Sequence, residues 1–303
     1  MPKFTVTTGQ NTVKWPQYVA ALSAAGGALA TGTALGWSAP ATPRLVDEGQ
    51  YFPITASEMD WVSSIVTIGC SVSCLPIGFL MNKFGRKWTM ISLVVPFMLG
   101  WSLVTFAQNF TMLLMGRFFI GLAGGAFCVS APQYSSEISE KEIRGIVGTF
   151  FQLLIIAGIL FVYTIGAFVT VFWLNVICAA IPLLFGLIFC LMPESPVFLI
   201  NNNREAEAKL SYNWLRGGSY DPQDEIDILK QELLDNQRSQ NSVNVIFSKP
   251  ANVRSVIIGV GLMFFQQVSG INVVIFYATL IFKVSLSENI HLINSYSSNF
   301  NLF

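Results

Sequence analysis

Polar and apolar positions along the chain alternate on the scale of a lipid bilayer rather than of a helix turn or a strand. A membrane-crossing helix needs about 20 mostly apolar residues. Seven stretches meet that length, at roughly 16–37, 58–81, 88–107, 110–133, 145–166, 169–192 and 253–282. Short polar connections separate spans two to six. The link from 193 to 252 is long and polar. Within it, Asp221-Pro222 reads as a helix start, a capping side chain followed by proline at the first helical position. Ile226, Leu229 and Leu233 follow at helical spacing, and Ala206, Leu210 and Trp214 recur every four residues. Both segments predict short amphipathic helices lying against the ends of the spans.

Composition sharpens this picture. Apolar residues make up 53% of the chain and charged residues 11%, against roughly 25% charged in soluble domains. The reading is an integral membrane protein. The net charge is zero, which leaves no basic footprint for nucleic acid. Cys70, Cys74, Cys128, Cys178 and Cys190 all fall within apolar stretches and read as small core residues, not a disulfide framework. No metal-ligand spacing is present and no cofactor is implied. The only histidine is His291, and no nucleophile–base pair stands out, so an enzyme is not expected.

Lysine and arginine set the expected orientation. Lys3, Lys14, Lys83, Arg86, Lys87, Lys141 and Arg144 share one side with the 193–252 link, whereas the other side has Arg44 and Lys283. The N-terminus and the long link are therefore expected to be cytoplasmic, in a multi-pass protein of the plasma membrane. Asn109-Phe110-Thr111 matches a glycosylation pattern, but its loop lies too close to the bilayer for easy modification.

The seventh stretch carries unusual polarity, Phe264-Phe265-Gln266-Gln267-Val268-Ser269-Gly270-Ile271-Asn272. Neutral amides at bilayer depth must face a partner or a watery cavity. They donate and accept together, which suits a ligand covered in hydroxyls. They equally suit bonds between helices, and the residues alone leave both readings open. Gln152 in span five has the same two readings. On a straight helix Gln267 and Asn272 point about 140° apart, so they converge only if Ser269-Gly270 bends the helix. Arg117 is the clear cation inside a span, about 12 Å deep at helical rise, free to snorkel outward or to face the cavity. No Asp or Glu is read in the interior of a span.

Several segments taken together resemble a known family. Gly78-Phe79-Leu80-Met81-Asn82-Lys83-Phe84-Gly85-Arg86-Lys87 joins spans two and three. Pro132-Gln133-Tyr134-Ser135-Ser136-Glu137-Ile138, with Arg144-Gly145, joins spans four and five. Pro193-Glu194-Ser195-Pro196 follows span six, and the Gln266–Asn272 run sits in span seven. In this order they resemble the sugar porter family of the major facilitator superfamily. Within it, Gly32-Thr33-Ala34-Leu35-Gly36-Trp37-Ser38-Ala39-Pro40 is similar to the facilitated trehalose transporters of insects.

The resemblance implies an all-α fold: a six-helix bundle (16–192), a cytoplasmic linker (193–252) and the first helix of a second bundle (253–282). Residues 1–15 form a cytoplasmic N-terminus. The resemblance stops near 282, and the polar 283–303 tail is expected to be divergent on a truncated product. Gln152, Gln266, Gln267, Asn272 and Tyr277 are implied to contact sugar. Phe276 replaces a tyrosine often found there. Arg86, Lys87, Glu137, Arg144 and Glu194 are implied to form a cytoplasmic latch between bundles, with Asn82 where many relatives carry aspartate. In proton-coupled relatives a span-one aspartate lies near the arginine matched by Arg117. That place is Thr33 here, which favours a passive uniporter. The expected function is facilitated transport of trehalose or a hexose by alternating access, with sugar and the bilayer as partners. Two alternatives are a non-transporting regulatory fragment that pairs with a full-length transporter chain, and a seven-helix receptor. A receptor of that type would place the N-terminus outside, against the charge pattern.

Overall fold

The computed structural model describes residues 12–46, 52–218, 221–239, 250–279, 281–283 and 285. Among them, the helices long and apolar enough to cross a membrane number seven, and no strand occurs. Span one is α1 (Trp15–Gly36) continued by α2 (Ser38–Val46) after a turn at Trp37. Span two is α3 (Ala56–Phe84). Span three is α4 (Arg86–Ser92) followed by α5 (Val94–Thr105). Spans four, five and six are α6 (Phe110–Ile138), α7 (Arg144–Phe168) and α8 (Val171–Phe189).

Local chemistry sets several of these ends. Thr55 and Glu58 form a reciprocal capping box at the start of α3. The Asn109 side chain accepts from the Met112 amide and caps α6, so the glycosylation-pattern asparagine is held in a helix cap. Gly85 turns the chain between α3 and α4 at φ 91°, a left-handed conformation that glycine takes without steric cost.

α6 packs on α3, α5 and α1, while α1 also packs on α7 and α8, and α5 on α8. In lipid such contacts depend on close backbone approach through small residues. A Cβ on Gly32 would overlap the Ile155 carbonyl of α7, and one on Gly121 would overlap the Val66 carbonyl of α3. Between the helices lies one core containing Trp37, Phe97, Trp101, Phe127, Tyr134 and Phe189.

The segment after span six lies across one end of the bundle, here named the linker end; the opposite end is the far end. It forms α9 (Pro196–Asn201), α10 (Glu205–Arg216) and α11 (Gln223–Ser239). Phe198, Leu199, Ile200, Ala208, Tyr212 and Ile226 make a second small core, flanked by Leu229 and Leu233. The periodicity of α11 is thus as read from sequence, except that its helix starts after Pro222. The face assigned to α10 is the wrong one: Leu210 is 69% exposed and Trp214 40%, whereas Ala208, Ser211, Tyr212, Leu215 and Arg216 are buried. Polar Ser211 and Arg216 disguise that face, because each satisfies its bonds inward, on Glu194 O and Ile138 O. The cysteine reading also needs correction. Cys178 is buried and Cys70 half-buried, but Cys74, Cys128 and Cys190 are exposed.

The seventh span begins with α12 (Pro250–Val268), breaks at Ser269-Gly270 and resumes over residues 271–279. Unlike the other six it is barely covered. None of its most apolar stretch is buried, and among the described residues Ala278 is the buried hydrophobic residue in it.

Candidate functional site

Two polar constellations stand out, one along span seven and one at the linker end. In span seven the helix break does what the amide spacing required. Gly270 sits at φ 73°, the helix restarts with Val273 N–H donating to Gly270 O, and Asn272 Nδ2 donates to Gln267 Oε1 at 2.8 Å. Two side chains about 140° apart on a straight helix therefore meet across the break. Both remain exposed, as does Gln266.

Gln152 is exposed on α7 with no side-chain partner among the described residues. It is eleven residues before Tyr163, which puts the two within about 20° on one helix face. Tyr163 donates its hydroxyl to the Ile275 carbonyl of span seven. Gln152 thus lies on the α7 face turned to span seven, about 17 Å along the axis from that contact.

Tyr277 is not free. Its hydroxyl donates to Asp60 Oδ1 of α3 at 2.8 Å. Asp60 lies about one turn from the far-end start of α3. It stands next to a capping box, and nothing in the sequence pairs it with a residue 217 positions away.

Arg117 neither snorkels nor faces the cavity. It is wholly buried. Its Nη1 donates to Ala34 O at 2.9 Å and its Nη2 to Ser38 Oγ at 3.1 Å. The guanidinium stacks 4.7 Å from the Trp37 ring centroid. Trp37 in turn donates Nε1 to Asn175 Oδ1 at 2.6 Å. The break between α1 and α2 leaves the Ala34 carbonyl without its usual helical donor, and Arg117 supplies one. No ion pair to Arg117 occurs among the described residues. Thr33, buried nearby, turns its hydroxyl to Ala30 O.

At the linker end, Arg86 donates Nε and Nη2 to Glu137 Oε1 at 3.1 and 2.9 Å and Nη1 to Met81 O at 3.2 Å. Glu137 also accepts from Gln133 Nε2 at 3.0 Å and from the Ser195 hydroxyl. Glu194 accepts the backbone amides of Arg86, Lys87 and Ser195. Burial pushes its carboxyl up, against the opposing pull of those amides and of Arg86. A Cβ on Gly85 would overlap the Glu194 carboxylate. Lys87 Nζ donates to Cys190 O at 2.7 Å. Four of the five latch residues therefore converge. Arg144 stays apart, exposed and bonded back to Ser139 O. The pairs lie within one bundle and α9, and Arg86–Glu137 is nearly buried, with side chains 8% and 12% exposed.

A neighbouring cluster escaped the motifs. Arg216 pairs with Glu140 at 3.3 Å and Glu225 at 3.5 Å, and Gln17 Nε2 donates to Glu140 Oε1 at 2.9 Å. Lys14 pairs with Glu142, which raises the Lys14 ammonium and lowers the Glu142 carboxyl. The start of α1 is thereby tied to the α6–α7 loop and to α10.

The profile of the family described as "Sugar (and other) transporter" matches residues 5–296. The chain belongs to this sugar transporter family. The match runs past residue 282, where the motif resemblance stops. The facilitated glucose transporter member 8 of solute carrier family 2 from Bos taurus is 37% identical over 267 residues, covering 88% of this chain and 54% of that protein. A facilitated trehalose transporter of Apis mellifera ligustica is 32% identical over 272 residues, covering 89% of this chain and 54% of that one. The chain spans about half the length of these relatives. The xylose transporter of E. coli, in a partially occluded inward open conformation, superposes with a TM-score of 0.69 at 21% identity, covering 87% of this chain and 66% of that one. The fold is that of the major facilitator superfamily, and this sugar transporter family member is a multi-pass membrane protein.

Proposed function

We propose that the chain carries one side of a passive sugar pathway, in which Gln152 of α7 and Gln266, Gln267 and Asn272 of span seven hydrogen-bond sugar hydroxyls. The observation that carries this reading is the Gln267–Asn272 pair at the Gly270 break. It presents both donors and acceptors on an exposed surface at bilayer depth, opposite the α7 face that holds Gln152. Neutral amides read hydroxyls without needing a charged substrate. The relatives named for glucose and trehalose transport support a hexose or a disaccharide as the substrate class. A passive pathway is supported by the buried setting of Arg117, whose Nη1 and Nη2 donate to Ala34 O and Ser38 Oγ and whose guanidinium lies against Trp37, with no acid paired to it among the described residues. The linker end and N-terminus face the cytoplasm, by the lysine and arginine distribution. Arg86, Lys87, Glu137 and Glu194 hold that end of the bundle together as a fixed tie on the cytoplasmic side.

Equilibrium binding of labelled trehalose and glucose to the purified chain, with and without Gln267→Ala, tests the site. Loss of affinity in the variant supports it, and equal affinity assigns the amides to packing. A second reading is favoured by one observation, the exposure of the whole apolar stretch of span seven. A helix so little covered suits association with further transporter helices, and the chain then acts by pairing with another transporter chain. Co-purification of differently tagged transporter chains separates the two readings.

A further inference from the structure

We propose that Lys83 and Lys87, with Phe84 and Trp88, form a binding site for the headgroup of an anionic phospholipid at the linker-end surface of the membrane. The inference does not depend on the sugar-site reading above. Several cations at this end are neutralised within the protein: Lys14, Arg86, Arg204, Lys209, Arg216 and Lys230 each pair with a carboxylate. Neither Lys83 nor Lys87 has a carboxylate partner among the described residues. Each lies instead by an aromatic ring. Lys83 Nζ is 5.4 Å from the Phe84 centroid, and Lys87 Nζ is 5.8 Å from that of Trp88. Both rings are themselves exposed. Two positive charges and two uncovered rings therefore stand together with no acid to balance them.

The placement fits a lipid rather than a soluble anion. Lys83 is in the last turn of α3 and Lys87 in the first turn of α4, so both stand where spans two and three leave the apolar layer. The Lys87 amide is held by Glu194, and its Nζ donates to Cys190 O just past the end of α8. That contact fixes the ammonium at the seam of α4 and α8 while using one of its three donors. The Glu194 carboxylate is taken up by the amides of Arg86, Lys87 and Ser195. Exposed apolar side chains continue along the spans on either side, Phe79 on α3 and Leu187 on α8. A phospholipid needs both parts, cations for the headgroup and an apolar wall for the chains. Amphipathic rings and stems suit the boundary between them.

The test is native mass spectrometry of the full purified chain titrated with dioleoylphosphatidylserine or dioleoylphosphatidylcholine. The parent should retain phosphatidylserine the more tightly. Lys83→Gln and Lys87→Gln should each weaken phosphatidylserine about fivefold, the worth of one lysine near an anionic surface, and leave phosphatidylcholine unchanged. Lys83→Arg keeps the charge and should bind like the parent. Lys83→Gln is the deciding variant if Lys87→Gln, which loses the bond to Cys190 O, folds poorly. Lys141→Gln removes an exposed cation from the α6–α7 loop and should leave retention unaltered. Glycerophosphoserine, the same headgroup without chains, should not compete at equal concentration; equal competition would assign the site to a soluble phosphate and overturn the lipid. Equal retention of the two lipids by the parent, parent-like phosphatidylserine retention in Lys83→Gln, or an equal loss in Lys141→Gln overturns the site.

Discussion

Replacing Arg86 by methionine should destabilise the protein by about 3 kcal/mol, at the lower end of the range for removing one partner of a buried pair. The structure places the value there for two reasons. The side chains of Arg86 and Glu137 are 8% and 12% exposed, so neither is solvated well enough to tolerate an unpaired charge. Yet Glu137 would keep Gln133 and Ser195 as donors, which softens the loss. The change also strips the Met81 carbonyl of its guanidinium donor and removes the cation stacked 5.6 Å from the Phe198 ring centroid. Methionine fills much of the arginine stem, so the measured cost reports charge and hydrogen bonds more than packing. Denaturant unfolding in a fixed detergent would read it. Glu137→Gln should also destabilise, and the double variant should cost less than the sum by at least about 1 kcal/mol, as for residues in one network. A stability for Arg86→Met within about 0.5 kcal/mol of the parent, the behaviour of an exposed pair, would refute the view that this is a buried tie.

Gln152→Ala and Gln267→Ala should each weaken sugar binding about two- to tenfold without lowering the amount of protein in the membrane; unchanged affinity in both would make the amides packing elements. Imposing a pH gradient on vesicles that transport should not drive sugar uphill, and accumulation under such a gradient would reveal a titratable group on the pathway. Asn203, exposed at the linker end, should as Asn203→Cys escape an impermeant reagent applied to intact cells; labelling there would invert the assigned topology. Liposomes holding only this 303-residue chain should show no saturable sugar uptake, since span seven leaves one wall of the amide site uncovered; saturable uptake would imply that two copies complete a cavity.

The seven spans were legible because each is a long apolar run, and apolar length is a signal that needs no partner. The convergence of Gln267 and Asn272 was legible for a similar reason: helix geometry forbids it without a break, and glycine marks the break. Features that depend on distant partners were not. Asp60 carries no mark of Tyr277, and Arg117 gives no sign that an opened backbone carbonyl in span one awaits it. The α10 face was misread because regular apolar spacing at Ala206, Leu210 and Trp214 outweighed a buried face containing serine and arginine. The latch residues were recognised through their motifs. Their geometry was not, since the family resemblance implies pairs reaching between bundles, whereas Glu137 and Arg86 are enclosed within one.

Arg117 also constrains how the protein is made. A guanidinium at the centre of a lone helix costs roughly 2.5–3.5 kcal/mol on insertion. In the finished molecule Ala34 O, Ser38 Oγ and the Trp37 ring relieve that cost, and all three belong to span one. Span one leaves the ribosome well before span four. Its break at Trp37 must therefore wait in the membrane, with a carbonyl unsatisfied, until span four arrives. Each helix carries a defect that the other repairs, so the two are expected to be held close beside the insertion machinery and to pair there. A substitution at Ser38 or Trp37 would then act first on the yield of correctly inserted chains, before any sugar is bound.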